Sequence, residues 1–138
     1  MKKTVVFFPF EPQPKGRPRF TKFGHAYTPA KTQEYEKQIA EYYSSQTDDF
    51  YDTAVKVRLV FNMPIPKSIT KKNRELIMTG VTKCTVVKDV DNLAKAVLDA
   101  INGLAYTDDR LITKLTVIKK YATENNVGTE LEITEDVE

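Results

Sequence analysis

Lys88-Asp89-Val90-Asp91-Asn92-Leu93-Ala94-Lys95-Ala96-Val97-Leu98-Asp99-Ala100-Ile101-Asn102-Gly103, followed shortly by Tyr106-Thr107-Asp108-Asp109, sets a helix among acids. Leu93, Val97, Leu98, Ile101 and Leu104 recur at helical spacing, while Asp91, Lys95, Asp99 and Asn102 gather on another face. One stripe suits a core and the other stays polar. Asp89 or Asp91 can cap the N-terminus and complement the helix dipole, and Asn102-Gly103 is a stop with Gly103 in the left-handed conformation.

From Asp91 to Asn102 such a helix rises about 16 Å, and Leu104 to Asp109, if extended, spans roughly the same length. A reversal at Gly103 would return Asp108 and Asp109 to the side of Asp89 and Asp91. Four carboxylates are then expected near one helix N-terminus, with Lys95 one turn inside. Such a cluster repels itself unless a cation fills it, and hard divalent ions take oxygen ligands of this kind. Mg2+ is the natural occupant, with Mn2+ as a substitute. Each pair also has a plainer reading: Asp-x-Asp as cap and solvated neighbour, Asp-Asp as a turn, Lys95 as an i,i+4 partner of Asp91 and Asp99. Finding both pairs a helix length apart, with a lysine on the shared face, sets a catalytic reading beside it.

The string Asp89-x-Asp91-Asn92-Leu93-x-Lys95-x3-Asp99-Ala100, then Asn102-Gly103 and Asp108-Asp109, resembles the signature of the RusA family of Holliday junction resolvases. That resemblance implies a magnesium-dependent endonuclease acting as a homodimer on four-way DNA junctions in recombination and repair. It makes Asp89 and Asp91 the two essential aspartates at the helix start, Lys95 the essential lysine and Asp109 the third catalytic aspartate. Asp108 and Asp99 match the pattern as well. Lys88 stands where the family places a proline or a basic residue. Pro14-Lys15-Gly16-Arg17-Pro18-Arg19-Phe20 resembles a segment of a phage-type branch.

A chain of 138 residues suits one domain, 1–138, with a real core. Cys84 and His25 are each the sole residue of their type, which excludes an intramolecular disulfide and a cysteine zinc site and leaves metal binding to carboxylates. No apolar run approaches a membrane span, and the opening residues lack a signal-peptide core, so a soluble, cytoplasmic protein without a membrane partner is expected. The net charge of +2 conceals segregation. Basic residues concentrate before residue 46 and between 67 and 88, whereas Glu124, Glu130, Glu132, Glu135, Asp136 and Glu138 close the chain with no lysine or arginine among them. Two basic segments suit a polyanion. Lys15, Arg17, Arg19, Lys67, Lys71, Lys72 and Lys88 are the candidate DNA contacts, and the same charges also suit a solubilising surface.

Thr4 to Phe8 reads as a strand, and Glu11 to Tyr27, with three prolines and two glycines, as an irregular loop. Arginines interleaved there with Phe20, Phe23 and Tyr27 suit phosphate contact with base stacking, and the aromatics equally suit anchoring the loop to the core. Tyr35, Ile39, Tyr42 and Tyr43 mark a helix opening at Thr28-Pro29. Val55 to Phe61 alternates as a half-buried strand, and Ser68 can cap a basic helix that runs to about Met78 and closes at Gly80. Leu111 to Tyr121 and Thr129 to Thr134, with Asn125-Asn126 and Gly128 between them, read as an antiparallel hairpin. Strands at both ends with helices between predict an α+β two-layer sandwich, one mixed β-sheet with helices packed on a face. Two functions besides junction resolution fit the same residues: a branched or single-stranded DNA-binding module without catalysis, and a metal-dependent nuclease acting on another substrate.

Overall fold

The computed structural model describes residues 2–137. Strand β1 (Lys3–Phe8) alternates as its sequence demands, with Thr4, Val6 and Phe8 buried and Lys3, Val5 and Phe7 exposed. Helix α1 (Ala30–Gln46) turns Thr32, Tyr35, Ile39 and Tyr43 inward, one residue per turn. Elsewhere β2 (Arg19–Phe20) and β3 (Ala26–Tyr27) form a small ribbon, and β4 (Val55–Pro64), α2 (Lys71–Met78), α3 (Val90–Ile101), β5 (Ile112–Ala122) and β6 (Gly128–Glu135) follow. The sheet order is β1-β6-β4-β5, antiparallel except for the parallel pair β4/β5. Such a parallel pair needs a long crossover, and α2 with α3 supplies it. Helices α1 and α3 pack on each other and share one core with the sheet, built on Phe8, Ile39, Leu59, Phe61, Val97 and Ile133. The predicted α+β architecture is the one observed.

The expected hairpin is not. β5 and β6 are antiparallel in direction, but β4 lies between them and pairs with both. Residues Val57 and Leu59 to Met63 of β4 are all buried, more than the alternation of its sequence suggested, so this strand belongs in the sheet interior. Bridging two strand spacings takes about 10 Å, which the short 3-10 link Glu124–Asn126 spans with its flanking residues. A turn of the same composition closes a hairpin or skips one slot, and only the burial of β4 decides between them.

Two smaller expectations also change. Helix α2 is capped by Thr70, whose hydroxyl accepts from the Asn73 amide at 3.2 Å, and not by Ser68. The loop between β1 and α1 is not wholly irregular, because Gly24, at φ 81°, lets Arg19-Phe20 pair with Ala26-Tyr27.

Candidate active site

Helix α3 buries Leu93, Ala94, Ala96, Val97 and Ile101 and so fixes which way its acids face. Asp89 occupies the N-cap position, and its carbonyl accepts from the Leu93 amide at 3.0 Å, yet its carboxylate makes no capping hydrogen bond. Asp91 lies in the exposed first turn, where the helix dipole favours an anion. The far end is pinned. Gly103 takes φ 79°, the Gly103 amide donates to the Tyr106 carbonyl at 2.9 Å, and the buried Tyr106 hydroxyl donates to the Leu98 carbonyl at 2.8 Å. Burial, reinforced by the charges of Asp109, Asp99 and Asp108, pushes the Tyr106 phenol far above its ordinary range, so it remains a donor. Tyr51 brackets this turn, its amide donating to Ala105 and its carbonyl accepting from Thr107.

The return path is shorter than expected, because Leu104 and Ala105 stay in the turn with both amides on the Ile101 carbonyl. Asp108 then caps the 3-10 turn Asp109–Leu111 by accepting from the Asp109 amide at 3.0 Å, and it pairs with Arg110 at 3.5 Å. The Asp109 side chain is left to line a groove of about 380 Å³ with Asp91, Lys95 and Asp99 of α3. Apolar Val90, Ala94 and Leu98, with Leu115 and Val117 of β5, form its floor. Asp91, Lys95, Asp99 and Asp109 thus meet in one groove, whereas Asp89 and Asp108 do not line it. Lys95 is 61% exposed and lies 3.7 Å from Asp99.

Among the described residues no three His, Cys, Asp or Glu side chains stand together as a ready metal cage. The donor chemistry still suits Mg2+, which keeps several waters and needs only one or two carboxylates alongside substrate phosphates. None of the ion pairs among the described residues uses Asp89, Asp91 or Asp109, so their oxygens are uncommitted.

The basic candidates divide into two groups. Arg17, Arg19, Lys67, Lys71 and Lys72 are exposed and enter no ion pair among the described residues. Phe20 and Phe23, 68% and 77% exposed, stand beside the arginines and do not anchor the loop to the core. Lys15 and Lys88, by contrast, are engaged. The Lys15 ammonium lies 2.6 Å from Glu36 and 3.1 Å from Asp99, and its amide donates to the Asn92 carbonyl. Lys88 donates to the Pro12 carbonyl at 3.1 Å and lies 3.8 Å from Glu11.

Sequence reasoning passed over Lys119. Its ammonium donates to the carbonyls of Val86 and Lys88, both at 2.9 Å, and so clamps the segment entering α3. The signal was present: Leu115, Val117 and Lys119 are alternate residues of β5, so this lysine follows two apolar side chains on the helix-facing side. Lys119→Met is expected to cost about 1.5 to 3 kcal/mol, the range for hydrogen bonds to a charged group, and to loosen residues 86–89. A thermal midpoint unchanged within one degree, with unaltered amide exchange at Asp89, would remove the clamp.

A family model described as endodeoxyribonuclease RusA matches residues 9–134. The chain belongs to the RusA family. A chain from Bacillus subtilis (strain 168), described as "Uncharacterized protein YqaN", is 35% identical over 123 residues, covering 85% of this chain and 87% of the relative. Membership in this family of DNA endonucleases agrees with exposed arginines and with an acidic groove carrying a lysine. No helix among the described residues is long and apolar enough to cross a membrane.

Proposed function

We propose that the chain is a Mg2+-dependent endonuclease that resolves four-way DNA junctions by paired nicks during recombination and repair, acting as a homodimer. The observation that carries this reading is the meeting of Asp91, Lys95 and Asp109 in one groove of a RusA-family chain. Asp91 and Asp109 would hold the ion, with Asp89 at the helix start as a third donor. Bound there, Mg2+ supplies a more acidic water and a Lewis acid for the phosphate oxygens. Lys95, one turn in from Asp91, puts positive charge at the groove, where it offsets the negative charge that builds on phosphate oxygens during in-line attack. With a DNA strand laid over the groove, the apolar floor of Ala94, Leu98 and Val117 would exclude water and strengthen that contact.

Arg17 and Arg19, with Lys67, Lys71 and Lys72, would hold the junction arms through their phosphates, giving affinity without sequence information. The exposed Phe20 and Phe23 offer stacking surfaces to unpaired bases. A four-way junction has two-fold symmetry, and a C2 dimer would present one groove to each of two opposed strands.

The test is cleavage of a synthetic four-way junction, a duplex and a single strand, each with Mg2+, Ca2+ or EDTA. Nicking confined to the junction and to Mg2+ supports the proposal. Binding without nicking makes the chain a DNA-binding module, and equal nicking of all substrates makes it a nuclease of another specificity. Arg17→Ala with Arg19→Ala is expected to make the slope of log affinity against log salt shallower by about one to two, since each phosphate contact releases roughly one counterion. A fluorescence-anisotropy salt series giving the parental slope would place the loop away from the backbone.

A further inference from the structure

Asp99 differs from the other groove acids in its company. Asp91 and Asp109 enter no ion pair among the described residues, whereas one oxygen of Asp99 faces Lys15 at 3.1 Å and Lys95 at 3.7 Å. Lys15 is the enclosed partner, 18% exposed, and its second contact, Glu36 on α1 at 2.6 Å, is shorter still. The result is a chain of alternating charge, Glu36, Lys15, Asp99, Lys95, running from α1 across the loop to the groove. The loop is docked by its backbone at the same place: the Lys15 amide donates to Asn92, and the Gly16 amide donates to the Thr32 hydroxyl at 3.0 Å.

We infer that Lys15 is a positioning residue and not a phosphate contact: bridging Glu36 and Asp99, it holds Asp99 as the wall charge that orients Lys95 and keeps it out of the set of carboxylates that bind metal. A carboxylate already facing an ammonium at hydrogen-bond distance attracts a further cation less than an unpaired one does. Burial alone would lower the proton affinity of Lys15, but the hydrogen bonds and charges of Glu36 and Asp99 outweigh it, so the bridge stays charged. Lys95 and Asp99 are four residues apart on one helix, so a fixed Asp99 draws the Lys95 head along the groove wall.

The assignment rests on the nuclease reading for its catalytic consequence, and the experiment separates the two. Lys15→Met, Lys15→Arg and Asp99→Asn are compared in three measurements: the salt slope of junction binding in Ca2+, the Mg2+ midpoint of amide shifts at residues 89–92 and 109 of the free protein, and single-turnover cleavage at saturating DNA. Lys15→Met is expected to keep the parental salt slope, to bind the junction as the parent does and to cleave about tenfold more slowly, a change of about 1.4 kcal/mol in barrier. Lys15→Arg, which can still bridge two carboxylates, is expected to return to within about threefold of the parent. Asp99→Asn is expected to slow cleavage by a similar factor with its Mg2+ midpoint unmoved.

A salt slope shallower by about one in Lys15→Met would make Lys15 a phosphate contact, and a Mg2+ midpoint raised about tenfold in Asp99→Asn would make Asp99 a ligand; either result overturns the assignment. If Lys15→Met does not fold, Lys15→Arg and Asp99→Asn decide. If the parent nicks no DNA, the nuclease reading fails, and the salt slope and metal titration still decide the roles of Lys15 and Asp99.

Discussion

Asp91→Asn is expected to reduce junction cleavage by about a thousandfold or more, the factor that corresponds to losing roughly 4 kcal/mol of metal-borne transition-state stabilisation. The substitution removes one negative charge from a groove whose other uncommitted acid is Asp109. Little else should change. Asp91 is exposed in the first turn of α3 and enters no ion pair among the described residues, so the fold loses only its favourable interaction with the helix dipole, about 0.3 to 1 kcal/mol. Single-turnover cleavage at saturating Mg2+ reads the loss, while junction binding in Ca2+ and the thermal midpoint confirm that the chain is folded and still engages DNA. Turnover within a few-fold of the parent would take Asp91 out of the active site.

Lys95→Ala is expected to slow cleavage about a hundredfold, on the scale of about 3 kcal/mol for losing a transition-state charge contact, with a thermal midpoint close to that of the parent. The two halves of the prediction have different causes. Lys95 stands off the apolar stripe, its head is exposed, and its one ion pair among the described residues is the i,i+4 contact with Asp99 at 3.7 Å. Such an exposed pair contributes about 0.3 to 0.5 kcal/mol to stability, a change that corresponds to about a twofold effect if it acted on rate. Cleavage within about threefold of the parent would fit the lost pair alone and would leave Lys95 no part in the reaction.

The fold was legible wherever one periodicity dominated. β1, α1, α3 and the apolar halves of β4 and β5 announce themselves because each buries one face, and a buried face writes its period into the sequence. Strand order was not legible. The link between β5 and β6 has a hairpin's composition, and the side chains that exclude a hairpin, Val60 to Met63 of β4, lie more than sixty residues earlier in the chain.

At the site, Asp109 does reach the groove of Asp91 and Lys95, as a chain reversal after the helix anticipated, although by a shorter return than the extended one that the spacing assumed. Spacing missed the diversion of Asp108 into a 3-10 cap, which depends on the turn at Leu104 and Ala105. Counting charges likewise could not separate Lys15 and Lys88 from Arg17 and Arg19. Whether a cation is free depends on partners such as Glu36, twenty-one residues away, and the Pro12 carbonyl, seventy-six residues away.

The position of β6 bears on how the chain folds as it is made. β6 follows every other strand in sequence, yet it fills the slot between β1 and β4. Tyr51, which brackets the turn after α3, also shares a hydrogen bond with Thr4 of β1 at 2.7 Å and donates to the Ile133 carbonyl of β6 at 3.4 Å. Contacts of such long sequence separation form late, because loop-closure entropy is lost before they return anything. A nascent chain halted before Gly128 has its sheet divided at the centre and Tyr51 held from one side only. Cutting competence should therefore arrive abruptly with the emergence of residues 128–135 from the ribosome, and not accumulate as the acidic helix is synthesised.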